Sequence, residues 1–245
     1  MTRIRDDLIE IVETKKIKSN RPLVIAGFAG QGLVGSIALS YIIDNLKLSE
    51  IAYVRSRLLP PATIFIDGVL RYPFRIYSNE EGTLLAIISE ISPPLEGFYD
   101  ISHSLMGWIE KMDVEEVVVL SGLVVRQDPD PKLIFAAAEP EVLDKLKKHR
   151  IPMLTRGLIT GIAATILNEC ITRKLTGICL LSPTTSKPNP EASATLIDAL
   201  NRIYSLGIKM APLIEEIQLI KEKQRELAEH AKKMSDRDRI DSIYV

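Results

Sequence analysis

The chain has 245 residues, of which 31 are lysine or arginine and 32 are aspartate or glutamate. This balance leaves no strong net field that would draw the protein to nucleic acid or to a membrane surface. Hydrophobic residues make up 46% of the chain and aromatic residues only 5%, so aliphatic side chains must form most of a sizeable core. The length suits one large α/β domain or two small ones.

The N-terminal part of the chain argues against export and membrane insertion. Residues 1–18 are charged throughout, unlike a secretory signal peptide. Residues 22–43 carry no charge, but their glycines fit a buried strand, a loop and a helix better than a lipid-facing helix. Cys170 and Cys179 lie nine residues apart in apolar surroundings, as expected of buried thiols in a reducing compartment. We therefore expect a soluble, cytoplasmic protein.

Strand and helix patterns alternate from the first elements onward. Alternating apolar and polar residues predict an edge strand at 8–14, and a continuous apolar run predicts a buried strand at 23–26. Helical periodicity follows a glycine loop at 33–46. Further β-rich runs lie between turn signals such as Asp67-Gly68, at 51–54, 63–66, 74–78 and 84–90.

The second half of the chain continues this alternation. The patterns predict helices at 95–112, 139–149, 161–172 and 191–206, and strands at 116–121, 133–137, 153–154 and 177–181. A proline-rich loop at 182–190 precedes the last of these helices. Strands separated by helices favour a parallel or mixed sheet covered on both faces. The predicted fold class is therefore α/β, a three-layer α/β/α sandwich in a domain of residues 1–210.

The composition changes after residue 210, where a helical extension is predicted for residues 211–234. Pro212 suits the first turn of a helix. Apolar or core-type positions then recur in a heptad pattern, at Leu213, Ile217, Ile220, Gln224, Leu227, Ala231 and Met234. This spacing predicts a coiled-coil seam that joins copies of the chain into a tetramer or another small homo-oligomer. The alternative is an amphipathic helix packed on its own domain.

The chain ends in Ile243, Tyr244 and Val245, a terminus of the hydrophobic–tyrosine–any residue type. A strongly polar segment precedes these residues, so residues 235–245 are predicted to form a flexible tail. A free α-carboxylate beside a phenol ring is a compact plug for a basic pocket on another protein. The alternative is an ordinary frayed terminus.

A glycine loop gives the main hint of ligand chemistry. Gly30, Gly32 and Gly35 form a GxGxxG pattern between a strand and a helix, which is the context of a dinucleotide-binding loop. The acid that would bind the ribose is misplaced, because Glu50 precedes its strand and Arg55 follows it. Close packing at a tight strand-to-helix turn explains the glycines better. The phosphate loop GxxxxGK[ST] is absent from the sequence, so we expect no ATP-driven work.

The sequence offers few other residues for catalysis or for metal binding. The histidines His103, His149 and His230 lack a neighbouring nucleophile in a catalytic motif, and the sequence shows no metal-ligand cluster. We therefore expect no catalytic residue, metal or cofactor. Ser121 stands at a strand end, where ligands of α/β proteins usually bind. Candidates for binding an anion are the helix entrance Arg156–Gly161 and the arginines Arg55, Arg57, Arg126 and Arg156. Each has a simpler explanation. Ser121 suits a turn, Thr160 or water can satisfy the helix start, and the arginines can lie on the solvated surface.

Four glycine- or proline-marked segments, in this order, resemble the proteasome-assembly-chaperone family in its archaeal form. They are Gly27–Gly35, Gly122-Leu123, Arg156–Gly161 and Pro183–Pro190. The resemblance covers most of residues 18–210 and implies a phosphorylase-like three-layer fold that works by binding and not by turnover. It also implies proteasome α subunits as partners. Several members carry a docking motif at the extreme C-terminus, and Ile243, Tyr244 and Val245 match it position by position.

The sequence supports three hypotheses of different classes. The first is an ATP-independent assembly chaperone or activator that engages proteasome α subunits through its C-terminus. The second is a phosphorylase-like enzyme, or a small-molecule or nucleotide-binding protein, that uses the Gly30–Gly35 loop with Arg55 or Arg126. The third is a structural oligomer held together by its helical seam alone.

Overall fold

The computed structural model describes residues 8–125, 129–215 and 217–218. The chain divides into two compact units, Met1–Ile208 and Lys209–Val245. The strands of the first unit are β1 (Ile9–Glu13), β2 (Leu23–Phe28), β3 (Ser49–Ser56), β4 (Ile64–Ile66), β5 (Val69–Arg71), β6 (Phe74–Ser78), β7 (Leu84–Ser89), β8 (Glu116–Val124), β9 (Phe135–Ala138) and β10 (Gly177–Thr184). Its α-helices are α1 (Val34–Asn45), α2 (Phe98–Glu110), α3 (Leu143–Lys148), α4 (Ile162–Arg173) and α5 (Pro190–Tyr204).

One large mixed sheet forms the centre of the first unit. In the described residues its eight strands lie in the order β1-β3-β6-β7-β2-β8-β10-β9. The four central strands β7, β2, β8 and β10 are parallel, and the strands on either side of them pair antiparallel. Every residue of β2 and β7 is buried, as is usual for strands that are covered on both faces. The predicted mixed α/β sheet is confirmed.

Helices cover both faces of this sheet. α2 packs against α4, and α1 packs against α5. Alternate residues of β2 divide between the two helix pairs, because successive side chains of a strand point to opposite faces. Val24 and Ala26 join the core cluster that contains residues of α2 and α4. Gly27 faces the other side, where a β-carbon would meet the main chain of Gly35 in α1.

The strand β10 is longer than predicted. The prediction ended it at Leu181, but Ser182, Pro183 and Thr184 continue the pairing with β8. The N–H of Val125 donates to the carbonyl of Thr184, so even-numbered residues of β10 bond to β8. Pro183 therefore faces the β9 side, beyond the first residue of β9, and its missing N–H breaks no ladder bond.

The second unit is described only at its beginning. Residues 211–215 and 217–218 are helical and include Leu213 and Ile217. The other seam positions and the C-terminal motif lie outside the described residues, namely Ile220, Gln224, Leu227, Ala231, Met234, Ile243, Tyr244 and Val245. The coiled-coil seam and the tail therefore stay predictions.

Across the described part of the chain, none of the helices combines the length and the apolar character needed to span a membrane.

Candidate functional site

Three segments that carry the family resemblance meet in one cleft. The cleft has a volume of about 850 Å³, and its lining includes Gly30, Gln31, Gly122, Leu123 and the segment Arg156–Gly161. β2 and β8 are parallel neighbours, so the loops that follow them leave the sheet at the same edge. This edge is where ligands usually bind in α/β proteins. Segments more than a hundred residues apart in sequence thus form a single site.

The fourth segment, Pro183–Pro190, contacts the glycine loop outside the cleft lining. The N–H of Asn189 donates to the carbonyl of Gly32 at 2.9 Å. Gly32 has a φ of 62°, and a β-carbon there would lie 2.3 Å from Oγ1 of Thr184. A β-carbon on Gly122 would lie 2.4 Å from the carbonyl oxygen of Gln31. Close chain contacts therefore account for these glycines without a bound nucleotide.

The dinucleotide hypothesis also lacks its acidic residue. β3 runs in the same direction as β2, because it is antiparallel to β6 and β6 is antiparallel to β7. Glu50 stands at the beginning of β3, so it lies at the sheet edge opposite to the Gly30–Gly35 loop. Its carboxylate is 3.8 Å from Nε of Arg71. Glu50 therefore cannot bind the ribose of a nucleotide held by this loop.

The cleft combines apolar walls with a few polar groups. Phe28, Phe98 and Leu154 contribute apolar surface, while Arg156 and Thr160 stand at the entrance to α4. The cap residue of α4, Gly161, has a φ of 75° and offers no side chain to the first turn. Of the three glycines in the GxGxxG pattern, Gly30 alone has open space, since a β-carbon there would lie 3.8 Å from the nearest atom. This lining suits contact with an extended polypeptide or with a small ligand.

Large apolar side chains are exposed along the same edge of the sheet. We call this set the apolar rim, and it consists of Leu33, Leu95, Tyr99, Val124 and Leu158. Leu33 follows β2, Leu95 follows β7, and Val124 ends β8. The most exposed member, Leu158 at 85%, also lines the cleft. Exposed apolar side chains that lie along one edge are a feature of surfaces that bind other proteins.

The residues considered for catalysis are not gathered at this site. Burial raises the thiol pKa of Cys170 and of Cys179 to about 12, so neither is a nucleophile at neutral pH. Nδ1 of His103 lies 3.2 Å from the Glu169 carboxylate on the helix surface. Within the described ranges, no group of three or more histidine, cysteine, aspartate or glutamate side chains is placed to hold a metal. Arg126 and His230 lie outside those ranges.

Two buried polar clusters were not predicted from the sequence. Arg75 of β6 is only 2% exposed; its Nε donates to the Tyr77 hydroxyl at 2.8 Å, and its guanidinium pairs with Glu90. Glu116, at the edge of the sheet opposite to the cleft, accepts hydrogen bonds from Lys145 at 2.8 Å and from the Tyr204 hydroxyl at 2.6 Å. Both clusters lie outside the cleft and tie neighbouring elements together. The available signal was a charged residue inside an otherwise apolar strand, as in Phe74–Ser78.

The fold is that of a mixed α/β protein with a large central sheet between helices, and the rim is an exposed apolar edge of that sheet. Residues 24–228 match the PAC2 family. The chain therefore belongs to the PAC2 family. The resemblance to the proteasome-assembly-chaperone family, which was inferred from four glycine- or proline-marked segments, is confirmed.

Three solved structures show how closely the chain follows known proteins. A protein of unknown function from Thermoplasma acidophilum is 35% identical, with 90% of this chain and 91% of that chain covered and a TM-score of 0.76. Pyrococcus furiosus PbaA, an archaeal homolog of proteasome-assembly chaperone, is 26% identical, with 90% and 96% covered and a TM-score of 0.80. Pyrococcus furiosus PbaB, an archaeal proteasome activator, is 20% identical, with 90% and 99% covered and a TM-score of 0.77. At this last identity the likeness concerns the fold alone.

Proposed function

We propose that this chain is a cytoplasmic, ATP-independent protein that binds the proteasome as an assembly chaperone or activator. The observation that carries the proposal is the likeness to PbaA over 90% of this chain, since PbaA is a homolog of proteasome-assembly chaperone. The fold of PbaB, a proteasome activator, gives further support. In this proposal the protein works by binding, with no catalytic residue and no cofactor.

The proposal gives each part of the chain a separate task. Residues 1–210 form the body, with the phosphorylase-like layering implied by the family. Residues 211–234 form the helix whose seam joins subunits, and residues 235–245 carry the docking motif. A homo-oligomer presents several tails at once, which raises the overall affinity through effective concentration.

The tail is proposed to dock in a pocket of a proteasome α subunit. The α-carboxylate of Val245 pairs with a lysine there, because an ammonium group is the natural partner of a terminal carboxylate. The ring of Tyr244 fills a groove while its hydroxyl makes a hydrogen bond, and Ile243 adds an apolar contact. Residues 235–242 are eight in number and span at most roughly 25 Å when extended.

The cleft and the apolar rim support a binding role for the body. Leu95, Tyr99 and Leu158 expose apolar surface that a bound protein would cover. We propose that this edge of the sheet faces the client subunit while the tail anchors the complex. Its polar groups are few, which suits an adaptable contact between proteins.

A second candidate function rests on the open space at Gly30 and on the neighbouring Arg156. A phosphorylated small molecule could use both in the cleft. A thermal-shift screen with nucleotides, nucleosides and phosphate tests this, because a ligand of the native state raises the melting temperature with its concentration. A flat response across the screen contradicts the ligand-binding alternative.

A pull-down of proteasome α subunits tests the proposed function. The full-length chain is compared with a chain that ends at Ser242 and so lacks only the three motif residues. We expect the full-length chain to retain α subunits and the shortened chain to lose them. Equal retention by both chains contradicts docking through the tail.

A further inference from the structure

The hairpin formed by β4 and β5 is a separate two-stranded sheet that lies against β3 of the large sheet. Its strands pair Ile64 with Arg71, Phe65 with Leu70, and Ile66 with Val69. Asp67 and Gly68 form the two-residue turn with φ values of 50° and 76°. Positive φ at both turn positions is the signature of a type I′ turn, whose twist matches that of the flanking strands. The hairpin is therefore well formed despite its short strands.

The hairpin exposes apolar side chains on both of its faces. Phe65 and Leu70 lie opposite each other on one face and are 75% and 72% exposed. Ile66 and Val69 on the other face are exposed as well, and so is Tyr72 after β5. We call these five residues the hairpin patch. An antiparallel ribbon normally keeps polar side chains on the face that meets water.

The hairpin patch is held in place by its own domain. The Tyr72 ring stacks on the Tyr53 ring of β3 with centroids 4.0 Å apart. The Tyr72 carbonyl accepts a hydrogen bond from Nη1 of the buried Arg75 at 2.6 Å. A patch fixed before binding loses less conformational entropy when a partner arrives. The buried arginine thus helps to preorganise an exposed surface.

Phe65 and Leu70 offer a partner both an exposed apolar side chain and main-chain groups that form no bond within the hairpin. In a two-residue hairpin the closing pair Ile66 and Val69 exchange hydrogen bonds, so the amide groups of Phe65 and Leu70 point away from each other. Within the described residues β4 and β5 form a sheet of only two strands, so these outer edges join no third strand. Two-stranded ribbons are marginally stable in water, and an open edge favours pairing with another chain.

We propose that the hairpin patch is a contact between two copies of this chain, patch against patch about a two-fold axis. This contact adds detail to the homo-oligomer of the proposed function. It rests on that function only for the claim that the chain self-associates. It concerns the α/β unit and needs neither the predicted helical seam nor docking of the tail.

Charge favours a second copy as the occupant. Residues 60–73 contain one acid, Asp67, and one base, Arg71, so the hairpin selects neither an acidic nor a basic partner. Arg71 already lies 3.8 Å from the Glu50 carboxylate of its own chain, so an apolar and nearly neutral partner, such as the same hairpin of a second copy, needs no charged group opposite it. Two-fold contacts are also by far the commonest arrangement in homo-oligomers.

The size of the patch agrees with a dimer contact. The exposed fractions of its five side chains amount to about 500 Å² of apolar surface. A standard interface buries about 800 Å² on each partner, with an apolar centre and a polar rim. The patch supplies the centre, and neighbouring polar residues such as Thr63 and Asp67 supply part of the rim.

Cross-linking of the full-length protein tests this contact. Leu70→Cys is compared with Ile171→Cys, whose position on α4 is 63% exposed and distant in sequence from the hairpin. The native thiols of Cys170 and Cys179 stay unreactive because they are buried. With a bismaleimide of about 10 Å span, the distance between two packed sheets, we expect Leu70→Cys to form covalent dimers at least about tenfold faster. Equal rates for the two variants overturn the proposal.

A double variant separates this contact from the proposed function. Phe65→Ser with Leu70→Ser should raise the dissociation constant for self-association at least about tenfold, because the apolar centre is lost. Ile171→Ser should leave it unchanged. Binding of α subunits by the tail is measured on the same samples, so that either function can fail while the other stands. Loss of α-subunit binding with unchanged self-association would assign the patch to the proteasome and overturn the proposal.

Discussion

A β-carbon on Gly35 would lie 2.3 Å from the carbonyl oxygen of Leu120, so the first turn of α1 rests directly on the main chain of β8. Gly27 of β2 makes a similar contact, because a β-carbon there would lie 2.2 Å from the carbonyl oxygen of Gly35. These contacts bring β2, β8 and α1 together beneath the cleft. The last glycine of the GxGxxG pattern is thus explained by packing.

The contact predicts a large effect of Gly35→Ala. The added methyl group meets main-chain atoms that cannot move aside, so the free energy of unfolding should fall by about 3 kcal/mol or more. Gly157→Ala is the matched control, since its β-carbon would lie 3.9 Å from the nearest atom. Urea denaturation of both variants measures the difference. A loss below about 0.5 kcal/mol for Gly35→Ala contradicts the packing explanation.

The buried arginine predicts a second stability effect. Arg75→Met leaves the Glu90 carboxylate and the Tyr77 hydroxyl without their partner, which should lower the free energy of unfolding by about 3 kcal/mol. Arg202→Met removes an exposed ion pair with Asp198 at 3.0 Å and an exposed hydrogen bond to the His149 carbonyl at 3.2 Å, and should cost less than about 1 kcal/mol. Equal losses in denaturant titrations of the two variants would show that burial does not set the cost.

Tyr204 predicts a loss of stability at alkaline pH. Burial, followed by the hydrogen bond to Glu116, raises the pKa of the Tyr204 hydroxyl above its ordinary value. An unfolded tyrosine loses its proton near pH ~10 while the folded one keeps it, so stability falls as the pH rises above ~10. The slope is up to about 1.4 kcal/mol per pH unit.

Tyr204→Phe removes this part of the pH dependence. The variant should be less stable near pH ~8, because a buried hydrogen bond is lost, yet lose less stability than the native chain above pH ~10. Tyr99→Phe, at an exposed position, should keep the native profile. Parallel alkaline profiles for native protein and Tyr204→Phe contradict the assignment.

The helical seam predicts a change in oligomer size. Leu227→Glu places a charge at a predicted seam position and should lower the mass measured by sedimentation equilibrium. Glu229→Gln, on the predicted outer side of the same helix, should leave the mass unchanged. An unchanged mass with a lower melting temperature for Leu227→Glu would favour a helix packed on its own domain.

The layered fold was predictable because its strands and helices are locally consistent. β2 and β7 are short, wholly apolar runs, and α1 follows its glycine loop with helical periodicity. The strand β5 was missed because three exposed residues carry no periodic signal, although the Asp67-Gly68 turn was recognised. The predicted end of β10 at Leu181 is too early, because a proline usually interrupts a strand. Pro183 does not interrupt β10, since it faces the side on which no ladder bond needs its N–H.

The site was predictable in its parts and not in its assembly. The glycine loop, the Gly122-Leu123 turn and Arg156–Gly161 were each identified in the sequence, but the strand order that brings them together is a tertiary property. The apolar rim and the hairpin patch escaped prediction for a related reason. An apolar residue in the sequence gives no sign of whether it is buried or exposed.

The most direct test of the account is binding of tail variants to purified proteasome core particle. Tyr244→Ala removes the ring, and one glycine added after Val245 moves the carboxylate away from its pocket. We expect both changes to abolish co-elution with the particle while the circular dichroism spectrum stays that of the native chain. Unchanged co-elution of both variants would contradict docking through the C-terminus.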